Sequence, residues 1–168
     1  FDKLMTDLPG EETGRHYPWW ASSYECFRDD TTGFDDRYSV SIKRDKESLI
    51  PVAWSTYTWG GPYDGTQVRG RRFRLSAMVK TSGCTGQVRI GHAFTKSDIT
   101  FFKFGQTHNP DGSPKKEIAW DFSPSLTGTQ DWTPLSVEFT PSSPVMNLLF
   151  LEQSGTGQSW FDNVKIEE

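Results

Sequence analysis

Ser154-Gly155-Thr156-Gly157-Gln158-Ser159-Trp160-Phe161-Asp162-Asn163-Val164-Lys165-Ile166 reads as a turn that opens directly into a strand. Small and polar residues supply the turn. Trp160, Phe161, Val164 and Ile166 then supply the aromatic and β-branched side chains that suit a pleated surface. Asp162 interrupts that run. A carboxylate beside a core is costly unless it is paired, hydrogen-bonded or bound to a metal. Asp162 therefore has two readings: a cap on the Gly155–Gly157 turn through backbone N–H groups, or a metal ligand.

The remainder of the chain repeats the pattern of short β-type runs between Gly, Pro, Asn and Asp turns. Helical periodicity is nearly absent. Strands are expected at Trp20–Arg28, Tyr38–Arg44, Val52–Thr58, Arg72–Lys80, Gln87–Phe94, Ile99–Gly105, Glu117–Asp121, Leu135–Thr140, Asn147–Glu152 and Trp160–Glu167. So many short strands in one chain predict an all-β fold, a β-sandwich jelly roll of two antiparallel sheets. The length of 168 residues suits one domain over 1–168 with a single core.

Composition narrows the function. The chain is 34% hydrophobic but 14% aromatic, with 7 Trp and 12 Phe. A sandwich of that composition is expected to leave some rings on its surface. A net charge of −4 gives no reason to expect nucleic acid or an anionic membrane, and no apolar run is long enough to span one. The chain is read as a monomeric domain cut from a longer, secreted or cell-surface protein. Cys26 and Cys84 are open to pairing or to remaining free thiols.

Alternation sets the facing of each strand. Phe73, Leu75, Ala77 and Val79 point to the core, and so do Val88, Ile90, His92 and Phe94. Arg74 and Arg89 then lie together on an outer surface. His92 reads as a buried, hydrogen-bonded histidine. The string His108-Asn-Pro-Asp-Gly-Ser-Pro114 is strong turn chemistry and predicts a hairpin overhanging the binding surface, with Phe101, Phe102 and Trp120 at its base.

The ordered set of Tyr38-Ser-Val-Ser-Ile-Lys43, Gly70-Arg-Arg-Phe-Arg-Leu-Ser-Ala-Met-Val-Lys80, Gly128-Thr-Gln-Asp-Trp132, Leu135-Ser-Val-Glu-Phe139 and Trp160-Phe-Asp-Asn-Val-Lys-Ile166 resembles the jelly-roll carbohydrate-binding modules of families 4, 9, 16 and 22. The resemblance runs over nearly the whole chain and implies a galactose-binding-like β-sandwich without catalysis. It implies a module that holds an attached glycoside hydrolase or polysaccharide lyase on its polymer. It also implies a structural Ca²⁺ between the first and last strands, with Asp162 as the closing ligand, Asp2 at the opening and the turn containing Asp36 contributing oxygens. Ca²⁺ takes six to eight oxygen ligands, which suits such a set.

Sugars stack their C–H faces on aromatic planes and take directional hydrogen bonds from planar polar groups. The densest supply of rings is Trp54-Ser-Thr-Tyr57-Thr-Trp59-Gly-Gly-Pro-Tyr63, and Trp54, Tyr57, Trp59 and Tyr63 are candidate ligand contacts. Alternation puts Tyr57 and Trp59 on one face with Ala53 and Ser55, and Trp54 on the other. Of Trp19 and Trp20, one is expected to cap the core and one to project, and Trp20 joins Trp120 among the candidates. Trp132 and Trp160 read as core. Arg74, Arg89 and Gln153 are the polar candidates, with Asp121 as a further acceptor. Four arginines between Arg69 and Arg74 admit an anionic algal or plant glycan beside β-glucan or xylan. They also fit a charged edge strand protected from pairing.

Two other classes compete. A protein-binding or adhesion ectodomain would use the same sandwich and the same exposed rings. A jelly-roll hydrolase needs paired carboxylates, and no Glu-x-Asp-x-x-Glu string is present. For a lyase, the three histidines are scattered among a turn, a core face and a loop.

Overall fold

The computed structural model describes residues 19–58, 70–95, 104–141 and 147–168, with the backbone alone at 57 and 58. Asp2, Trp59, Tyr63, Phe101 and Phe102 lie outside the described residues, as does the side chain of Tyr57. The elements are β1 Trp20–Ala21, β2 Cys26–Asp29, β3 Ser39–Arg44, β4 Val52–Thr58, β5 Phe73–Thr95, a 3-10 turn at Phe104–Gln106, β6 Ile118–Phe122, β7 Leu126–Phe139, β8 Asn147–Gln153 and β9 Gly157–Glu167. Among the described residues there is no α-helix, and none long and apolar enough to cross a membrane.

Every strand pair is antiparallel, in the order β1-β4-β8-β5-β9-β3-β2, with β6 and β7 also on β5. The long β5 joins the two layers of the sandwich. Its first half pairs with β9 and β7 and completes the back sheet, together with β3 and β2. Its second half pairs with β8 and β6 and completes the front sheet, together with β4 and β1. The predicted strands at Arg72–Lys80 and Gln87–Phe94 are thus one strand. Its Ser-Gly-Cys-Thr-Gly segment is a series of register shifts between Thr81 and Val88 rather than a turn. Trp20–Arg28 is instead divided, its halves going to opposite sheets. Gly105 ends in the 3-10 turn, not in a strand.

The main core lies between the sheets. It holds the predicted Phe73, Leu75, Ala77, Val79, Val88 and Ile90, with Val40, Ile42, Leu149, Leu151 and Phe161 from the other strands. His92 is fully buried at its edge. Its ring stacks on Phe139 at 4.2 Å and its nitrogens face Asp121 Oδ2 at 3.0 Å and Asn147 Oδ1 at 2.7 Å. Cys26 and Cys84 are both free and buried in this core.

A second apolar cluster lies outside the front sheet. Ala53, Ala93, Ile118, Leu148 and Phe150 point outward there, and Phe104 covers them. Phe150 reaches across β5 because Gly91 has no side chain: a Cβ at that position would sit 2.3 Å from the Phe150 ring. This cluster exists because the hairpin predicted at 108–114 folds down onto the sheet.

Candidate functional site

Cross-strand partners in a sheet share a face, so the registers define the outer front face. It carries Trp20 on β1, Ala53 and Ser55 on β4, Leu148, Phe150 and Glu152 on β8, Arg89, Gly91 and Ala93 on β5, and Ile118, Trp120 and Phe122 on β6. Trp20 is 45% exposed, whereas Trp19 packs on the main core. The expected division of that pair therefore holds.

Trp120 stacks on Phe122 with centroids 5.3 Å apart and planes 8° from parallel. The Arg89 guanidinium lies 3.5 Å over the Phe122 ring, and its Nε donates to Glu152 Oε1. Glu152 is fully buried. Burial pushes its carboxyl pKa up, and the Arg89 charge opposes that rise. Glu152 Oε2 and Trp120 Nε1 are buried without a hydrogen-bond partner. Phe122 and Glu152 escaped the sequence reading. The signal was present in Glu152, whose even spacing from Leu148 and Phe150 puts all three on one face.

The hairpin closes over this face. Gly112 N donates to Asn109 O at 2.9 Å and Asn109 N to Ser113 O at 2.8 Å, as the turn chemistry predicts. Gly112, at φ 80°, lies so close to Leu49 that a Cβ there would approach the Leu49 carbonyl to 2.6 Å. His108 packs between Phe104 at 5.6 Å and Trp120 at 5.1 Å.

Burial and, secondarily, the nearby Arg89 charge lower the His108 pKa from 6.5 to about 4. The unfolded chain takes up this proton near pH 6.5, but the folded chain holds it off until about 4. Stability therefore rises with pH across that window and is flat above it. After allowance for solvent screening of a half-buried group, the effect is about 1–2 kcal/mol. Thermal melts from pH 7 to 4 should show His108→Gln losing less stability than the wild type. Parallel losses would remove His108 from the acid response.

Several expected site residues fall elsewhere. Trp54 faces inward, is 8% exposed and donates Nε1 to Ser41 O at 3.1 Å, because its neighbours Ala53 and Ser55 take the outer face. Gln153 is fully buried, donating to Gly157 O at 2.9 Å and accepting from Ser159 Oγ at 2.6 Å. It holds the last turn together and is not a ligand contact. Arg74 and Arg89 do not share a surface, because the two halves of β5 belong to different sheets. Arg74 is exposed on the back sheet and bonds Glu138 at 3.1 Å. Arg71 pairs with Glu168, and Arg72 also pairs with Glu138, so these three arginines form a charge-compensated edge. Trp160 and Trp132 are not core residues. Each is partly exposed; Trp160 is paired with Ser41 and Lys80 on the outer back face and donates Nε1 to Asp29 at 2.7 Å, while Trp132 packs edge-on against Phe34.

A second constellation lies on the back sheet. Carboxylate oxygens of Asp35, Asp36 and Asp162 all come within 4.8 Å of one another. Asp162 is buried and does not cap the Gly155–Gly157 turn. Its Oδ2 accepts from Phe34 N at 2.8 Å and its Oδ1 from Asn163 N at 2.7 Å. Asn163 takes φ 49°, a left-handed conformation that Asn tolerates, and the ladder with β5 shifts register beside it. This bulge breaks the strand's alternation just after the aspartate. Asp36 Oδ1 also accepts from Tyr38 N at 2.6 Å. The three carboxylates are hard oxygen donors from two distant segments, which fits Ca²⁺ better than a softer ion.

No family model matches the chain, and no curated protein matches it in sequence. Solved structures match it in shape. A family 22 module with its attached family 10 catalytic module, from a Clostridium thermocellum endo-1,4-β-D-xylanase complexed with xylohexaose, aligns over 89% of this chain with a TM-score of 0.58 and 12% identity. The match spans 26% of that longer chain. The family 22 xylan-binding domain of a Paenibacillus barcinonensis xylanase aligns over 89% of this chain and 84% of its own, with TM-score 0.58 and 13% identity. A family 30 module of a C. thermocellum cellulosomal cellulase aligns over 90% and 92%, with TM-score 0.54 and 14% identity. The fold is that of the jelly-roll carbohydrate-binding modules. At these identities the likeness concerns the carbohydrate-binding-module fold and leaves the choice of ligand to the residues on its faces.

Proposed function

We propose that this domain is a non-catalytic polysaccharide-binding module of a secreted protein, holding an attached carbohydrate-active enzyme on its substrate. The carrying observation is the outer front face: an exposed Trp20 at one edge and a ring-stacked Arg89 fork farther across the same sheet. The neighbours of this fold that are described as xylan-binding or bound to xylohexaose support the same reading. Asp35, Asp36 and Asp162 hold a structural Ca²⁺ in this proposal. That ion would tie the turn before β3 to the closing strand and take no part in sugar contact.

Pairing of Arg71, Arg72, Arg74 and Arg89 with glutamates favours a neutral chain over an anionic one. Affinity electrophoresis against xylan, mixed-linkage β-glucan, mannan and β-1,4-galactan, beside alginate and polygalacturonate, tests this. Retardation by a neutral polymer that persists at high salt is expected. Trp20→Ala should weaken it by about tenfold or more, as loss of an aromatic anchor does. Retardation by none of these polymers would overturn the reading in favour of a protein-binding sandwich.

A further inference from the structure

Resting on the polysaccharide-binding reading, we propose that Arg89 and Glu152 bind the terminal sugar of a neutral glycan chain, with the hairpin at 104–117 as the stop. A buried ion pair is weak evidence for stability, since apolar residues of similar volume often serve as well. Glu152 nevertheless lies on the outer side of the front sheet with 2% of its surface exposed. Its Oε1 holds Arg89 at Nε, and the Phe122 ring holds the guanidinium plane from its face. With both constraints in place the fork is pre-oriented. Its terminal nitrogens meet no acceptor among the described residues, and the side chain remains 21% exposed. Beside it, Glu152 Oε2 accepts no hydrogen bond.

Donors without acceptors next to an acceptor without a donor describe the complement of a pair of hydroxyls. One hydroxyl oxygen accepts from Arg89, and another hydroxyl donates to Glu152 Oε2. A carboxylate or sulfate would satisfy the fork but would set its own charge against Glu152. The hairpin decides how a chain reaches the pair. Phe104 lies on Phe150 at 5.3 Å, His108 on Trp120, and Gly112 against Leu49 just ahead of β4. The loop therefore crosses the front sheet from its β6 edge toward β4 and fills the lane along which an uninterrupted chain would run. A glycan enters from the open side and ends at Arg89.

The test uses whichever neutral polymer of the panel retards the wild-type domain. Portions of it are cut to decreasing lengths by limited acid hydrolysis, and the domain is titrated calorimetrically at equal polymer mass. Binding sites per gram should rise in proportion to chain ends. Sites per gram that stay constant would overturn the proposal while leaving polysaccharide binding intact; binding of no polymer at all would instead count against the module reading. Glu152→Gln, close to isosteric, should raise Kd at least about tenfold with an unchanged melting temperature. An unchanged Kd in that variant would remove Glu152 from the site. The length dependence is read on the wild type, so it stands whatever the variant's stability.

Discussion

Trp54→Ala should destabilise the domain by about 3–5 kcal/mol, the usual range for emptying a buried tryptophan site. The indole is 8% exposed and packs in the main core among residues of both sheets. Its removal leaves a cavity and takes away the Nε1 bond to the Ser41 carbonyl. In a domain of this size each kcal/mol shifts the midpoint by about 2–4 °C, so a drop on the order of 10 °C or more is expected. Denaturant unfolding gives the free energy directly, and glycan affinity measured below the new midpoint should be unchanged. A variant that keeps its stability and loses its glycan would put Trp54 back among the ligand contacts. Trp20→Ala is expected to behave in the opposite way, because its ring projects from the outer face.

The second large effect is expected at the acidic trio. Chelation should lower the wild-type melting temperature, and added Ca²⁺ should restore it. At a free concentration of about 100 Kd, linkage gives about 2.7 kcal/mol. Three carboxylates within 4.8 Å repel one another, and a divalent cation offsets that repulsion. Asp162→Ala should cost about 2–4 kcal/mol, because it also leaves the N–H groups of Phe34 and Asn163 without their acceptor. The diagnostic result is the combination: chelator should have no further effect on the variant. A wild-type melt that ignores chelator would leave Asp162 as a hydrogen-bond acceptor and nothing more.

The two predictions separate residues that the sequence presents alike. Trp54 and Trp20 both read as strand tryptophans, but Trp54 follows Ala53, whose place on the outer face forces the indole inward. Asp36 and Asp162 are 126 positions apart in the chain (162 − 36), and their meeting depends on how β3 pairs with β9.

By itself the sequence determined the all-β class, most strand positions, the core faces of β5, the buried His92, the 108–114 turn and the isolation of Asp162 in a closing strand. Each of these follows from local rules: alternation, turn chemistry, and the cost of burying a charge. Only the tertiary structure decided that β5 runs through both sheets, which sends Arg74 and Arg89 to opposite outer surfaces. Only it showed that Gln153 turns inward, that Glu152 holds Arg89 over Phe122, and that the hairpin lies down on the front sheet instead of overhanging it. Pairing partners and the close approach of Gly91 to Phe150 and of Gly112 to Leu49 are long-range facts. They are set by which strands meet, and alternation along a single strand carries no information about its neighbours.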